Sequence, residues 1–381
     1  MTDKTTSKNI NLNQSNRPFR IITHSKCTDG LFSAWIMKRY FNEILNLKKE
    51  EKLTKKQIEE IPVIGTQAYA IQKDDELEFT PYDIVLDLPK PDQNIFFWCD
   101  HHSSNKPQSH EEVKLANQKH HFEIADSNTG LLINLAIKHS KQNKTPFTKK
   151  QLEELEQFKV ASDIMDMAKY NKKQIQNCYY LKENLEKYNQ ENASALLKSH
   201  ILSSFVHSRD YYLTTEFLKF TANSAADTNS ITPLNDQNLW DLKPHIWHIA
   251  RLKGHKEWRK QLDTFVEFDE ETKMVIVDKR KIRKEFGLFD RFYVYLKFPE
   301  AIYNLNLKIT FDGNARLGLG ANIFEKDKRK LDVGETLKEL SKLHGEGSGG
   351  GHAAVGGATV FENNADLAIA FIKEKIKEAH K

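Results

Sequence analysis

Apolar positions along the chain fall into two blocks of different rhythm. From Phe19 to His139, short runs that are apolar nearly throughout alternate with segments whose apolar residues recur at helical spacing. The runs Phe19–Thr23, Pro62–Tyr69, Tyr82–Asp87, Asn94–Trp98 and His121–Ile124 predict strands, and Gly30–Tyr40 and Thr129–His139 predict helices. Continuously apolar strands alternating with helices imply a mostly parallel sheet covered on both faces. Such sheets receive ligands beyond the carboxyl ends of their strands. The Lys/Glu-rich stretch Asn46–Glu60 reads as a solvated helix, and from Phe147 to about Ala222 the pattern is helical throughout. Turn residues then dominate Ala222–Asp236, which reads as a linker. The second block predicts a helix over Leu239–Phe265 and strands near Lys273–Asp278, Arg291–Phe298 and Leu307–Phe311. It ends with a helix over Val333–Leu343, a glycine-rich loop and a helix over Asn364–Ala379. The expected organisation is a polar tail (1–17), a parallel-sheet domain (18–221), a linker (222–236) and a smaller α/β domain (237–381), with a cleft between the domains.

Charge and cysteine content narrow the function classes. The 57 Lys and Arg nearly balance the 53 Asp and Glu, leaving +4 over 381 residues. A protein that coats duplexes, or threads long single strands through a basic channel, carries a larger excess, so any nucleic-acid contact is expected to be local. The basic stretch Arg251–Lys260, with Trp258 inside it, reads as a solvated face of a connecting helix before it reads as a strand grip. Cys27, Cys99 and Cys178 are odd in number and scattered, which suits a reducing compartment rather than a disulfide framework. No apolar run reaches the roughly 18 residues of a membrane span, and the first 17 residues lack the apolar core of a signal peptide. A cytoplasmic protein without a membrane partner is expected; a homodimer stays open.

The chemistry-bearing residues cluster at predicted strand ends. His24 and Asp29 follow the first strand, Asp87 ends Ile84–Asp87, and Asp100-His101-His102 ends the run that contains Phe96, Phe97 and Trp98. Asp163 and Asp166 lie at the edge of an apolar helix. Taken singly, a strand-end Asp is a common turn former or helix cap, and His24 alone reads as a hydrogen-bonded loop histidine. The tripeptide Asp100-His101-His102 is harder to explain by packing, because it sets three costly polar groups at a sheet edge. Oxygen donors mixed with His suit Mn²⁺ or Mg²⁺ better than a structural zinc. Several shared carboxylates suggest two ions about 3.5–4 Å apart, the arrangement that clamps phosphoryl oxygens during in-line displacement.

In this order the motifs resemble those of the DHH phosphoesterase superfamily, specifically members with a C-terminal DHHA1 domain, among them oligoribonuclease-, exopolyphosphatase- and RecJ-like relatives. His24-Ser-Lys-Cys-Thr-Asp-Gly30 is similar to the first motif, Asp87 to the second, Asp100-His101-His102 to the third, and Asp163 to the fourth, with Asp166 as the other choice. Gly349-Gly350-Gly351-His352 resembles the glycine-histidine motif of the C-terminal domain, and Gly320–Phe324 the substrate-contacting loop before it. The likeness runs from about residue 19 to residue 375. It implies an α/β parallel-sheet catalytic domain and a smaller α/β substrate-binding domain. It also implies two divalent ions, Mn²⁺ first, with Mg²⁺ or Co²⁺ as substitutes. His24 and Asp87 would hold one ion, and Asp29, Asp87, His101 and Asp163 the other, with Asp87 bridging. His102 would contact the scissile phosphate, and Asp100 would orient its neighbour. Asn322, Arg316, Gly350, Gly351 and His352 would bind substrate.

Cys27 stands where most hydrolytic members carry Asp. It reads either as a ligand that retunes one site towards softer ions or as a packed, uninvolved thiol. Gly345-Glu-Gly-Ser-Gly-Gly350 satisfies the dinucleotide-binding glycine pattern. A helical segment precedes it and apolar β-type residues follow, so that reading is rejected. Its expected use is close backbone approach to an anion. The implied activity is hydrolysis of a phosphoester or phosphoanhydride in a short single-stranded oligonucleotide, a small phosphorylated nucleotide, a dinucleotide or polyphosphate. A nucleotide-sensing protein with catalysis weakened at Cys27 is the alternative.

Overall fold

Two β-sheets organise the chain, one in each of two compact units. The computed structural model describes residues 19–25, 27–67, 77–102, 105–106, 119–179, 193–204, 206, 224–225, 228–282, 292–310 and 312–381. The expected tail and parts of the expected linker and of the helical stretch before it lie outside these residues. The first unit takes in residues up to His101, Asn105–Asp166 and Phe205–Pro244; the second takes in His102–Ser104, Met167–Ser204 and His245–Lys381.

The first unit is built on five parallel strands in the order β2-β1-β3-β4-β5: β1 Arg20–His24, β2 Val63–Thr66, β3 Asp83–Leu86, β4 Phe97–Asp100 and β5 Lys119–Phe122. The interior strands β3 and β4 are buried at every position, which is why they read as unbroken apolar runs rather than alternating ones. Each fully buried Ile, Val or Leu stabilises the fold by about 1.5–3 kcal/mol relative to exposure. Helices α1 (Thr28–Arg39), α2 (Asn128–Gln142) and α3 (Lys149–Asp166) pack together, joined between α1 and α3 by the Phe32 and Phe158 rings at 4.9 Å. At the amino edge, the Arg20 guanidinium donates to both oxygens of buried Asp83, at 2.7 and 2.6 Å, tying β1 to β3.

The second unit carries a six-stranded mixed sheet in the order β10-β11-β9-β8-β7-β6: β6 Val266–Asp269, β7 Met274–Asp278, β8 Tyr303–Ile309, β9 Asn314–Ala321, β10 Gly345–His352 and β11 Val355–Phe361. Only β7 and β8 pair in parallel. Strand β9 alternates cleanly. Ala315, Leu317, Leu319 and Ala321 face the core, while Arg316, Gly318 and Gly320 face the other way. The core face packs against Val333, Leu337 and Leu340 of helix α5 (Val333–His344) and Ile372 and Ile376 of α6 (Ala365–Ala379). Asp332 caps α5 by accepting from the Glu335 amide at 3.0 Å.

The α/β class and the parallel first sheet are as expected; several local elements are not. The glycine-rich segment is strand β10, paired antiparallel with β11, and not a loop. Its glycines let α5 lie directly on the strand. A Cβ on Gly349 would sit 2.4 Å from the Leu337 carbonyl oxygen, and one on Gly334 would sit 2.6 Å from that of Gly351. Residues expected as a strand around Arg291–Phe298 form a helical turn over Tyr293–Lys297. Their aromatic and β-branched run scores as strand, but Val294 and Tyr295 are drawn into a cluster with Trp258, Phe265 and Val275. The expected single helix over Leu239–Phe265 is interrupted. One helix spans Gln237–Asp241 and α4 spans Pro244–Lys260, with Lys243 between them at φ +54°.

Candidate metal centre

The carboxyl edge of the first sheet gathers acidic and imidazole groups, each set by a local device. Asp87 follows β3 with φ +56°, a left-handed conformation that is costly for any residue but glycine. Its amide donates to the Cys99 carbonyl at 3.0 Å, so the turn is locked to the neighbouring strand. The two carboxylate oxygens then face different partners: Oδ1 lies 3.3 Å from His101 Nε2, and Oδ2 lies 3.7 Å from His24 Nδ1. Asp29, in the first turn of α1, accepts from the amides of Asn128 and Thr129 at 2.6 and 3.0 Å, at the start of α2. The start of α1 is in turn tied to β1: the Thr23 hydroxyl donates to the Gly30 carbonyl at 2.9 Å, and the backbones lie so close that a Cβ on Gly30 would be 2.2 Å from the His24 carbonyl oxygen.

His101 is the hub. Its Nδ1 faces the Ala125 carbonyl at 3.0 Å; a carbonyl only accepts, so Nδ1 donates and the neutral ring leaves Nε2 as the donor atom for a cation. Around Nε2 stand Asp87 at 3.3 Å, Asp29 at 3.4 Å and Asp166 at 3.6 Å. Asp166 is therefore in this group. Asp163, one helical turn earlier on α3, accepts from the Ser127 hydroxyl at 2.5 Å, and that same hydroxyl oxygen accepts from the Gly130 amide at 3.0 Å. A second group shares Asp87: donor atoms of His24, Cys27 and Asp87 lie within 4.8 Å of one another, as do those of Asp29, His101 and Asp166.

The electrostatics match a cradle for positive charge. Burial first, and then the Asp87 and Asp166 charges, push the Asp29 carboxyl up to about 8. Burial alone would lower the His101 imidazole, but Asp87, Asp166 and Asp29 raise it well above its usual range. Burial, followed by Asp87, Asp166 and Asp29, likewise raises the Cys27 thiol. A divalent cation fits this donor set, because it would compensate clustered carboxylates that otherwise hold protons.

The other expected residues lie as follows. Buried Asp100 accepts from Asn105 Nδ2 at 2.8 Å. Within the second unit the His102 and His352 rings stack at 4.6 Å, and Gly350 and Gly351 take φ of +154° and +143°, a region that favours glycine. Asn322 is buried, its Nδ2 donating to the Ala301 carbonyl at 2.7 Å and its Oδ1 accepting from the Phe324 amide at 2.9 Å, so its side chain holds the turn after β9. Arg316 is exposed on β9 and lines a cavity of about 440 Å³ on the glycine-bearing face, together with Lys279, Lys308, Asn304, Asn306 and Tyr295. Sequence reasoning did not single out Ala125, Ser127, Asn128 and Thr129, which position the centre; the cap-forming run Ser127-Asn128-Thr129 before an apolar helix was the available signal.

No protein-family model matches the sequence, and no curated protein does. Among solved structures, the chain is similar to the pGpG-specific phosphodiesterase PggH from Vibrio cholerae, with 15% identity over 95% of this chain and 99% of that one and a TM-score of 0.52. It is also similar to a DHH-domain protein described as a member of a family of ribosomal proteins, with 16% identity, 95% and 87% coverage, and a TM-score of 0.57. Manganese-bound RecJ from Thermus thermophilus matches at 12% identity over 94% of this chain, with a TM-score of 0.53; the chain spans about half (52%) of that protein. The chain therefore shares the fold of these proteins, a DHH domain among them, as its motifs led us to expect. Among the described residues, no helix is long and apolar enough to cross a membrane.

Proposed function

We propose that the protein is a divalent-metal-dependent phosphoesterase acting on a small nucleotide-type substrate, such as a short single-stranded oligonucleotide, a linear dinucleotide or a phosphorylated nucleotide. The observation that carries this reading is the set Asp29, Asp87 and Asp166 around His101 Nε2, at 3.3–3.6 Å, beside His24 and Cys27. Asp29, His101 and Asp166 would hold one ion and His24 with its neighbours the other, Asp87 offering one oxygen to each. Bound there, the ions would supply Lewis acidity towards phosphoryl oxygens and neutralise developing charge. The chain's own groups do the rest. The Ala125 carbonyl fixes the His101 tautomer, and the α2 amides aim Asp29. His102 would donate a proton or hydrogen bond to the leaving oxygen, with Asp100 as a positioning residue. Lys279, Lys308 and Arg316 supply cations, and Asn304 and Asn306 amides, for a phosphorylated nucleotide in the cavity of the second unit. That a protein of similar fold acts on pGpG favours dinucleotides over polyphosphate.

The test is nucleotide or phosphate release with Mn²⁺ from a panel: a 5′-phosphorylated dinucleotide, 3′-phosphoadenosine 5′-phosphate, a cyclic dinucleotide and polyphosphate. We expect release from one nucleotide class, reduced at least about a hundredfold in Asp87→Ala, since even groups that only support metal ligands are worth 10–100-fold. Silence across the panel from folded, cation-loaded protein would overturn the proposal for these substrates.

A further inference from the structure

Resting on the cation centre proposed above, we infer that Cys27 binds metal through its sulfur, so that the outer cation position, on His24, Cys27 and Asp87, selects a borderline divalent ion (Zn²⁺, Fe²⁺ or Co²⁺) rather than Mn²⁺. The two donor groups differ in kind. Asp29, His101 and Asp166 offer one nitrogen and two carboxylates, whereas His24, Cys27 and Asp87 offer one nitrogen, one sulfur and one carboxylate, all within 4.8 Å. Oxygen-rich sets suit Mg²⁺ and Mn²⁺, and a thiolate shifts preference towards softer ions.

Local geometry brings the thiol into this group. Cys27 is the residue before α1, with φ −120° and ψ 136°, and its side chain makes no capping hydrogen bond; the helix start is served instead by its carbonyl, which accepts from the Leu31 amide at 3.2 Å. The Thr23 hydroxyl donates to the Gly30 carbonyl at 2.9 Å and ties the strand end to the helix start. Asp87, in its left-handed turn, turns Oδ2 to the His24 side and Oδ1 to His101, so each ion would share one carboxylate while meeting a different third donor. Binding breaks the Cys27 S–H bond, releases the proton to solvent and forms the sulfur–metal bond, with no change of oxidation state. Of the chain's other described thiols, Cys99 is buried within β4, and Cys178 lies on a helix of the second unit.

The test is titration of the full chain with Co²⁺, read by absorption. We expect the near-ultraviolet sulfur-to-cobalt charge-transfer band in wild type and its loss in Cys27→Ser, with Co²⁺ still bound at the other group. Cys27→Asp should lack the band and shift the Mn²⁺-to-Zn²⁺ affinity ratio at least about tenfold towards Mn²⁺. Visible d–d bands from bound Co²⁺ without the charge-transfer band would overturn sulfur ligation and leave the two-ion reading standing. Failure to bind Co²⁺ at all, in folded protein, would overturn both.

Discussion

At the carboxyl edge of the first sheet, three acidic side chains crowd within 3.6 Å of one buried imidazole nitrogen. On the open face of the second sheet, glycines, amides and long cationic side chains surround a hollow of about 440 Å³. The first region is made by side chains delivered from strand ends and helix starts. The second is made by leaving side chains out, as Gly318, Gly320 and Gly357 do among the residues that line it. Concentrated negative charge must hold protons or a cation; a concave cationic surface suits a phosphorylated ligand. On the function proposed above, the first region would carry the chemistry and the second the grip, and substitutions should separate the two.

The largest separation is expected from Asp87→Ala, which removes the carboxylate facing both donor groups. Hydrolysis should fall at least about a hundredfold, while nucleotide binding to the second unit, measured by calorimetry, persists. Loss of both in folded protein would collapse the distinction.

Proton linkage sharpens the first region alone. In the cation-free state Asp29 is raised to about 8 and His101 well above its usual range, so folded protein binds more protons than unfolded protein as pH climbs from about 4 towards 8. Stability contributed by these groups is thus present at low pH and lost as pH rises through the folded values. Cation binding must expel those protons, so affinity should rise about tenfold per pH unit for each proton released. Calorimetry of Mn²⁺ binding in two buffers of different ionisation enthalpy counts them; a pH-independent affinity would contradict this linkage.

Gly349→Ala should act on the second region only. Its Cβ would meet the Leu337 carbonyl oxygen at 2.4 Å, so we expect a loss of about 1–3 kcal/mol from overpacking, read as a lower melting transition with cation affinity unchanged. The smallest effect belongs to Arg316→Ala. An exposed cation that meets substrate charge in solvent is worth about 1 kcal/mol, so KM should rise about three- to tenfold with kcat held. A fall in kcat with KM unchanged would move Arg316 into the chemistry.

How far the sequence revealed these regions follows from what each is made of. The first sheet was legible because strands buried on both faces read as apolar runs, and the centre was legible because acids and histidines sit where those runs stop. The choice between Asp163 and Asp166 was not legible. Both lie on one face of α3, and which of them reaches His101 depends on where α3 meets the start of α2, a tertiary fact. Strand β10 was hidden because glycine carries no strand propensity; it is held by pairing with β11 and by α5 lying against it. Strand β9, with glycine at its last two outward positions, Gly318 and Gly320, was hidden for the same reason.

The central claim is that Asp29, Asp87, His101 and Asp166, with His24 and Cys27, form a divalent cation centre. Its most direct test is metal content after Mn²⁺ or Zn²⁺ loading and desalting, on wild type and on Asp87→Ala with matching circular dichroism. Two ions per wild-type chain, and a loss of at least one in Asp87→Ala, are the expected result. Wild-type protein that retains no ion under these conditions would contradict it.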